Sequence, residues 1–240
     1  MKVKILGTGG AFDAMPTSYI IEDTILVDTG IETVKKIVHS KEIDKIKKVF
    51  ITHLHVDHIA GFELLVYYWD FFGINNVEVY AGSDFMEYYK TLPCAKKHGE
   101  FFMNFKFTCF HEGKYITPNY DIEEDMFVNI IKAKHMQGEL PAYSFVFGFN
   151  RKRYEKGIAI ITGDIDEPCP MTAKMLETIN AYIFHDMGST GYDIPKEKRN
   201  HPTEDDVFKM FGESERVIGI HTNAELKKYR KAKENEIFEW

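Results

Sequence analysis

The stretch "VFITHLHVDHIAG", from Val49 to Gly61, ends a strand-like apolar run on His53, His55, Asp57 and His58. No other feature of the chain constrains its fold as much. Imidazole and carboxylate groups are costly to bury without partners. A strand that ends on four of them must satisfy each by ordinary hydrogen bonds or gather them around a common ligand. Residues two apart in an extended segment point the same way, so His53 and His55 can aim at one point. Asp57 and His58, on the turn into the next helix, can aim at a neighbouring point. Such donors suit zinc, and also iron and manganese. A shared metal is the simpler account of four polar groups at one strand end.

The apolar runs around this motif set the architecture. "KVKIL", "SYIIED" and "TILVDTG" read as short strands bounded by turn residues. "IETVKKIVHSKEIDKIKK" has helical spacing, with Val34, Ile37 and Val38 on one face. "HIAGFELLVYYWDFFG" reads as a helix ending near Gly73, and "SDFMEYYKTL" as a helix with Ser83 as N-cap. "VEVYAG", "FMNFKFTCF", "FVNIIKAKH", "YSFVFGFN", "GIAIITGD", "AYIFHDMG" and "RVIGIHTN" are further strands. "TEDDVFKMFG" is a helix capped by Thr203, and the tail "AELKKYRKAKENE" is expected to be helical. Strands and helices mix in the same order twice, with no linker and no repeat of fixed period. This predicts a single domain over residues 1–240, with two sheets inside and helices outside.

Composition narrows the function classes. Apolar residues make up 44% and charged residues 28%, as in a globular protein. A formal net charge of -7 gives no general pull toward nucleic acid or an anionic membrane. The basic residues of the tail are interleaved with Glu225, Glu234 and Glu236, which suggests a solvated face. No membrane partner is expected, since the longest apolar stretch, around "LLVYYW", is too short to span a bilayer. No signal peptide is read before "MKVKILGTGG", and Cys94, Cys109 and Cys169 form no CxxC pair. A cytoplasmic protein with reduced thiols is therefore expected.

The HxHxDH motif resembles that of the metallo-β-lactamase superfamily of metal-dependent hydrolases. The resemblance extends to His135 after "NIIKAKH", Asp164 in "IITGD" and His221 in "VIGIHTN". The opening strands "ILGTGGAF" and "ILVDTG" are also similar, with Asp28 expected behind the ligands. The resemblance implies an α/β chain folded as a four-layer αββα sandwich with two divalent metal ions at one edge. Zinc is the first expectation, with manganese or iron as alternatives. By the same resemblance His53, His55 and His135 bind one ion, Asp57, His58 and His221 bind the other, and Asp164 bridges them.

His185 and Asp186 in "YIFHDMG", with His201 in "NHPTEDDVF", resemble the branch that contains tRNA 3′-processing RNase Z and related phosphodiesterases. In that branch an acidic residue after a strand precedes an "HST"-like segment; here proline replaces the serine. The resemblance implies catalysis by Asp57, Asp186 and His201, with His185 in a supporting or pocket role. A structural role for His185, and a helix-entry role for His201, are the alternatives. "GTGGAF" lacks the Lys-Ser/Thr of a P-loop and is read as a turn. The aromatic stretches "VYYWDFFG" and "EFFMNFKF" are read as core packing, or as a pocket or homodimer contact. His39, His98 and His111 are read as ordinary residues. The leading expectation is hydrolysis of a small phosphodiester such as a cyclic nucleotide. An RNase Z-type endonuclease acting on nucleic acid, a lactone or thioester hydrolase and a mononuclear iron dioxygenase are the alternatives. A pure binding module would have no need of seven metal ligands.

Overall fold

Strand residues in this chain alternate between two apolar cores, and that alternation builds the layers. The computed structural model describes residues 1–10, 13–97, 106–110, 120–123, 126–149 and 157–240. The first half runs β1 (Lys2–Gly7), β2 (Ser18–Ile21), β3 (Ile25–Val27), α1 (Ile31–His39), β4 (Lys48–Phe50), α2 (Val56–Ile59), α3 (Phe62–Phe72), β5 (Glu78–Gly82), α4 (Ser83–Thr91), α5 (Pro93–Lys97) and β6 (Lys106–Phe110). The second half runs β7 (Tyr120–Glu123), β8 (Met126–His135), β9 (Leu140–Phe149), β10 (Ile158–Ile161), α6 (Pro170–Thr178), β11 (Ala181–Asp186), α7 (Glu204–Phe211), β12 (Val217–Ile220), β13 (Arg230–Lys231) and β14 (Ile237–Glu239). His98, His111 and residues 100–105 of the second aromatic stretch lie outside the described residues.

The strands form two sheets, ordered β14-β1-β2-β3-β4-β5-β6 and β13-β12-β11-β10-β9-β8-β7. Val3, Tyr19, Val27, Phe50, Val128, Phe145, Ile161 and Phe184 meet in one core between the sheets. Their strand neighbours turn the other way, as period two requires. Ile20, Leu26 and Val49 pack against α1 and α3 through Val34, Ile37, Phe62, Leu65 and Trp69. Ile160, Ile183 and Val217 pack against α6 and α7 through Leu176 and Val207. Three cores between four layers make the expected αββα sandwich. No described helix is long and apolar enough to cross a membrane.

Strand direction positions the site. β3, β4 and β5 are parallel, as are β10, β11 and β12. Chain segments leaving the carboxyl ends of both sets emerge at one edge of the sandwich, where open α/β sheets generally bind ligands. The β8–β9 hairpin pairs ten residues, from Met126↔Phe149 to His135↔Leu140, and its tip reaches the same edge.

Three local expectations need correction. The tail after Ala224 is not helical: β13 pairs with β12, and β14 pairs with β1. The buried Glu204 carboxylate accepts the backbone N–H groups of Lys227, Lys228 and Tyr229 at 3.1, 2.6 and 3.0 Å, which holds the tail open. Ser83 is the first residue of α4 rather than its cap; Gly82 takes that place, with no capping side chain. The long helix predicted from His58 is two helices parted at Gly61, where a Cβ would lie 2.6 Å from the Thr29 carbonyl oxygen. Thr203 does cap α7, in a reciprocal capping box with Asp206.

Phe50 is buried between the sheets, stacked on Tyr80 at 4.4 Å and edge-on to Phe147 at 5.1 Å. Removing a ring from such a site leaves a cavity worth roughly 3–5 kcal/mol. Phe50→Ala is therefore expected to lower unfolding stability by about that amount in urea titration. A loss below about 1 kcal/mol would show that the sheets are not joined there.

Candidate metal centre

Local backbone bonds aim the motif. Thr29 donates its N–H to the His58 carbonyl at 2.7 Å, and Gly61 donates to the Thr29 carbonyl at 2.7 Å. This clasp fixes the turn that holds Asp57 and His58 against the end of β3. Asp28 and His221 both have left-handed backbone, at φ 60° and 55°. Non-glycine residues rarely adopt that conformation, and it concentrates at functional sites. Gly163 (φ 61°) turns the chain just before Asp164, where a Cβ would lie 2.9 Å from Thr52.

All seven expected ligands come together. The donor atoms of His53, His55, His135 and Asp164 lie within 4.8 Å of one another, as do those of Asp57, His58, Asp164 and His221. Asp164 belongs to both sets. Its Oδ2 is 3.5 Å from His53 Nε2 and 3.5 Å from His221 Nε2, and its Oδ1 is 3.4 Å from His58 Nε2. Asp57 Oδ2 is 3.4 Å from His221 Nε2, and His135 Nε2 is 3.1 Å from His55 Nδ1.

The ring orientations expose lone pairs to the centre. Thr52 donates its hydroxyl to Asp28 Oδ2 at 2.8 Å, so its oxygen accepts from His53 Nδ1 at 3.0 Å. His58 Nδ1 donates to Asp28 Oδ2 at 2.7 Å. Both rings turn Nε2 inward, and in the neutral ring that nitrogen is bare. Those two nitrogens and Asp164 Oδ1 are buried with no hydrogen-bond partner. Converging, unpartnered donors of this chemistry fit a metal ion, because buried polar atoms are otherwise almost always paired.

Charge points the same way. Burial pushes His53 well below the ordinary imidazole value and His135 down to about 4, leaving the neutral form that ligates. Burial also opposes charge on His58 and His221, but nearby carboxylates outweigh it. Asp164 and Asp28 lift His58 well above its usual value, and Asp164, Asp186 and Asp57 lift His221 to about 10. Burial favours the acid form of Asp57 and Asp164, yet His221 and His58 hold both far below the usual carboxylate range. Buried carboxylates gathered in this way require positive charge, which divalent cations supply.

Asp186 and His201 stand beside this cluster. His201 Nδ1 is 2.8 Å from Asp186 Oδ2 and 4.0 Å from Asp164 Oδ2. With Asp164 and His221 they form a third possible donor group, but His201 Nδ1 donates its proton to Asp186 and so has no lone pair to offer a metal. His185 is not brought to the cluster. Its neighbour Phe184 faces the core between the sheets, so His185 faces the helices. Its Nδ1 donates to the Asp186 carbonyl at 2.7 Å and its ring meets Phe211 at 5.4 Å. In the first aromatic stretch Trp69 is buried and Phe71 is 82% exposed. Thr52, Met136 and Asp166 also touch the site and carry no motif of their own, although Asp166 stands two residues after Asp164. The glycine turn borders the site, since a Cβ on Gly10 would lie 3.1 Å from His221 Nε2.

A family model described as anti-Pycsar protein Apyc1 matches residues 1–237. The chain belongs to the anti-Pycsar protein Apyc1 family. It is 36% identical over 74 residues to the anti-Pycsar protein Apyc1 of Paenibacillus sp. (strain J14), a match covering 28% of this chain and 30% of that relative. The matched stretch thus spans less than a third of the curated relative's length. The fold is similar to the short form of human tRNase Z, with a TM-score of 0.74, 17% identity and coverage of 99% and 98% of the two chains. It is also similar to the metallo-β-lactamase fold protein YhfI from Bacillus subtilis, with a TM-score of 0.72, 14% identity and coverage of 100% and 99%. This member of the Apyc1 family therefore has the metallo-β-lactamase fold, with a His/Asp cluster that fits divalent metal.

Metal should stabilise the folded state. Zinc at about 100 times its dissociation constant is expected to add roughly 2.7 kcal/mol. Thermal melts should show a rise with zinc in the parent and a much smaller rise in Asp164→Ala. Equal rises in both would contradict a bridging Asp164. Asp28→Ala is expected to weaken zinc binding by about 10–100-fold in chelator competition, and an unchanged affinity would remove Asp28 from the account.

Proposed function

We propose that the chain is a binuclear metal-dependent phosphodiesterase acting on a small phosphodiester such as a cyclic nucleotide. The His201–Asp186 pair beside the metal cluster carries this reading. Divalent ions in such a donor set polarise phosphoryl oxygens and lower the pKa of water. Cleavage then forms one bond from a water oxygen to phosphorus and breaks one ester bond. The departing alkoxide needs a proton, and His201 would give it. Burial disfavours charge on His201, but Asp186 outweighs it and raises the imidazole above its ordinary value. The Nδ1 side is occupied by Asp186, so Nε2 is the nitrogen left for substrate. Asp186, held well below the usual carboxylate range against the pull of burial, stays ionised and keeps the ring charged.

The surroundings suit a small molecule with a flat group. His201 lines a cleft of about 550 Å³ that carries both signs of charge, Lys134, Lys196 and Lys209 beside Asp166, Glu167 and Glu197, a size typical of small-molecule sites. It also lines a recess of about 130 Å³ with His221 and Tyr192. Tyr192 is 57% exposed, so its ring offers a stacking face beside the reacting centre.

The deciding experiment is a screen of metal-quantified protein against cyclic nucleotides, bis(p-nitrophenyl) phosphate, lactones and thioesters. Faster turnover of phosphodiesters with only mild salt sensitivity supports the proposal. Inert phosphodiesters beside an active lactone or thioester would overturn it. A steep fall with salt would point to polymeric nucleic acid and an RNase Z-type role.

His201→Ala is expected to leave metal content unchanged and lower turnover by about 10²–10⁴-fold. The loss should shrink when the leaving group is p-nitrophenolate. Metal loss in this variant would instead make His201 a ligand. Base stacking on an aromatic side chain is worth roughly 1–3 kcal/mol, so Tyr192→Ala is expected to raise KM for a cyclic nucleotide by about 5–150-fold, with kcat little changed. An unchanged KM would take Tyr192 out of the substrate site.

A further inference from the structure

Two histidines of the cluster are aimed from behind, His53 by Thr52 and His58 by Asp28, each through Nδ1. His135 shows the same need without the bond. Its Nδ1 is buried and has no hydrogen-bond partner, and the same is true of Asp166 Oδ1. These two atoms face each other at 3.8 Å. A donor site and an acceptor, both buried and both unpaired, are rarely left side by side. The gap is roughly 1 Å longer than a hydrogen bond.

Asp166 is itself held in place. Its N–H donates to the Lys134 carbonyl at 2.8 Å, which ties it to the end of β8 beside His135. The nearby backbone amides of Gln137, Met136 and Gly138 favour the charged form of its carboxylate. All three of those residues have left-handed backbone, with φ of 50° at Met136, 58° at Gln137 and 84° at Gly138. Two of the three are not glycine, and such conformations persist only where their surroundings hold them. The same loop puts Met136 Sδ 3.2 Å from His55 Nε2. The hairpin tip thus grips a carboxylate on one side and a ligand histidine on the other.

We propose that Asp166 is the positioning residue of His135. Its Oδ1 accepts the Nδ1 proton, fixes the tautomer with a bare Nε2, and turns that nitrogen toward His55 Nδ1. The inference rests on reading the cluster as a metal centre.

The test is long-range ¹⁵N–¹H spectroscopy of the histidine rings in the zinc-loaded protein, paired with chelator competition. In the parent, His135 should carry its proton on Nδ1, slow to exchange. Asp166→Ala should lose that slow exchange and bind zinc about 10–100-fold more weakly. Asp166→Asn keeps a carbonyl acceptor and should restore much of both, which a role confined to packing would not predict. A parent spectrum with the His135 proton on Nε2 overturns the inference without any variant, so failure of Asp166→Ala to fold leaves the test intact. Zinc affinity in a folded Asp166→Ala within twofold of the parent also overturns it, while the metal centre stands. A parent that takes up no zinc overturns the metal reading and this inference together.

Discussion

Asp164 is a carboxylate buried between histidines of two donor sets, 3.4–3.5 Å from nitrogens of His53, His58 and His221. Taking a carboxylate out of water costs several kcal/mol even after relaxation, and Asp57 and Asp186 are buried close by. Such a group of negative charges is tolerable only with positive charge at its centre. Without cations, protons on His58, His201 and His221 serve. With cations bound, His58 and His221 would offer lone pairs instead, while the proposed role of His201 needs its proton kept. The rest of the sandwich holds these groups against their mutual cost. Two sheets deliver them from parallel strand ends and from the tip of the β8–β9 hairpin, and left-handed backbone at Asp28 and His221 turns the chain where an ordinary residue would run straight on.

The layer behind the donors matters as much as the donors. Asp28 serves two tasks, accepting from Thr52 and from His58, and through Thr52 it also sets the tautomer of His53. One buried carboxylate therefore orients a ligand of each donor set. Asp186 works on the opposite side, where it pairs with His201 at 2.8 Å and accepts the N–H groups of Ile165 and Gly188. The site is thus a His/Asp cluster flanked by two carboxylates, Asp28 bonded to His58 and Asp186 to His201.

His53, His55, Asp57 and His58 were legible in the sequence because an abrupt change from apolar to ligating residues is a local signal, whereas His135, Asp164 and His221 were reached through the family resemblance. Two sheets inside helices were legible from the order in which strands and helices mix, and the four-layer form came from the resemblance. His185 and Asp186 could not be told apart in this way. Period two puts them on opposite faces, but which face meets the site depends on Phe184 entering the core between the sheets, which is a tertiary fact. The tail misled because its composition is helical while its backbone bonds belong to Glu204, more than twenty residues away in sequence. Asp166 carried only its spacing from Asp164, and the amides that hold it come from a hairpin tip with no sequence signature beyond Gly138.

The most direct test of the account is an anomalous diffraction map of zinc-loaded crystals at the zinc edge. The account predicts two peaks sharing Asp164, one among His53, His55 and His135 and the other among Asp57, His58 and His221, with His201 outside both coordination shells. A single peak ligated by Asp186, His201 and His221, or no peak at the cluster, would contradict it.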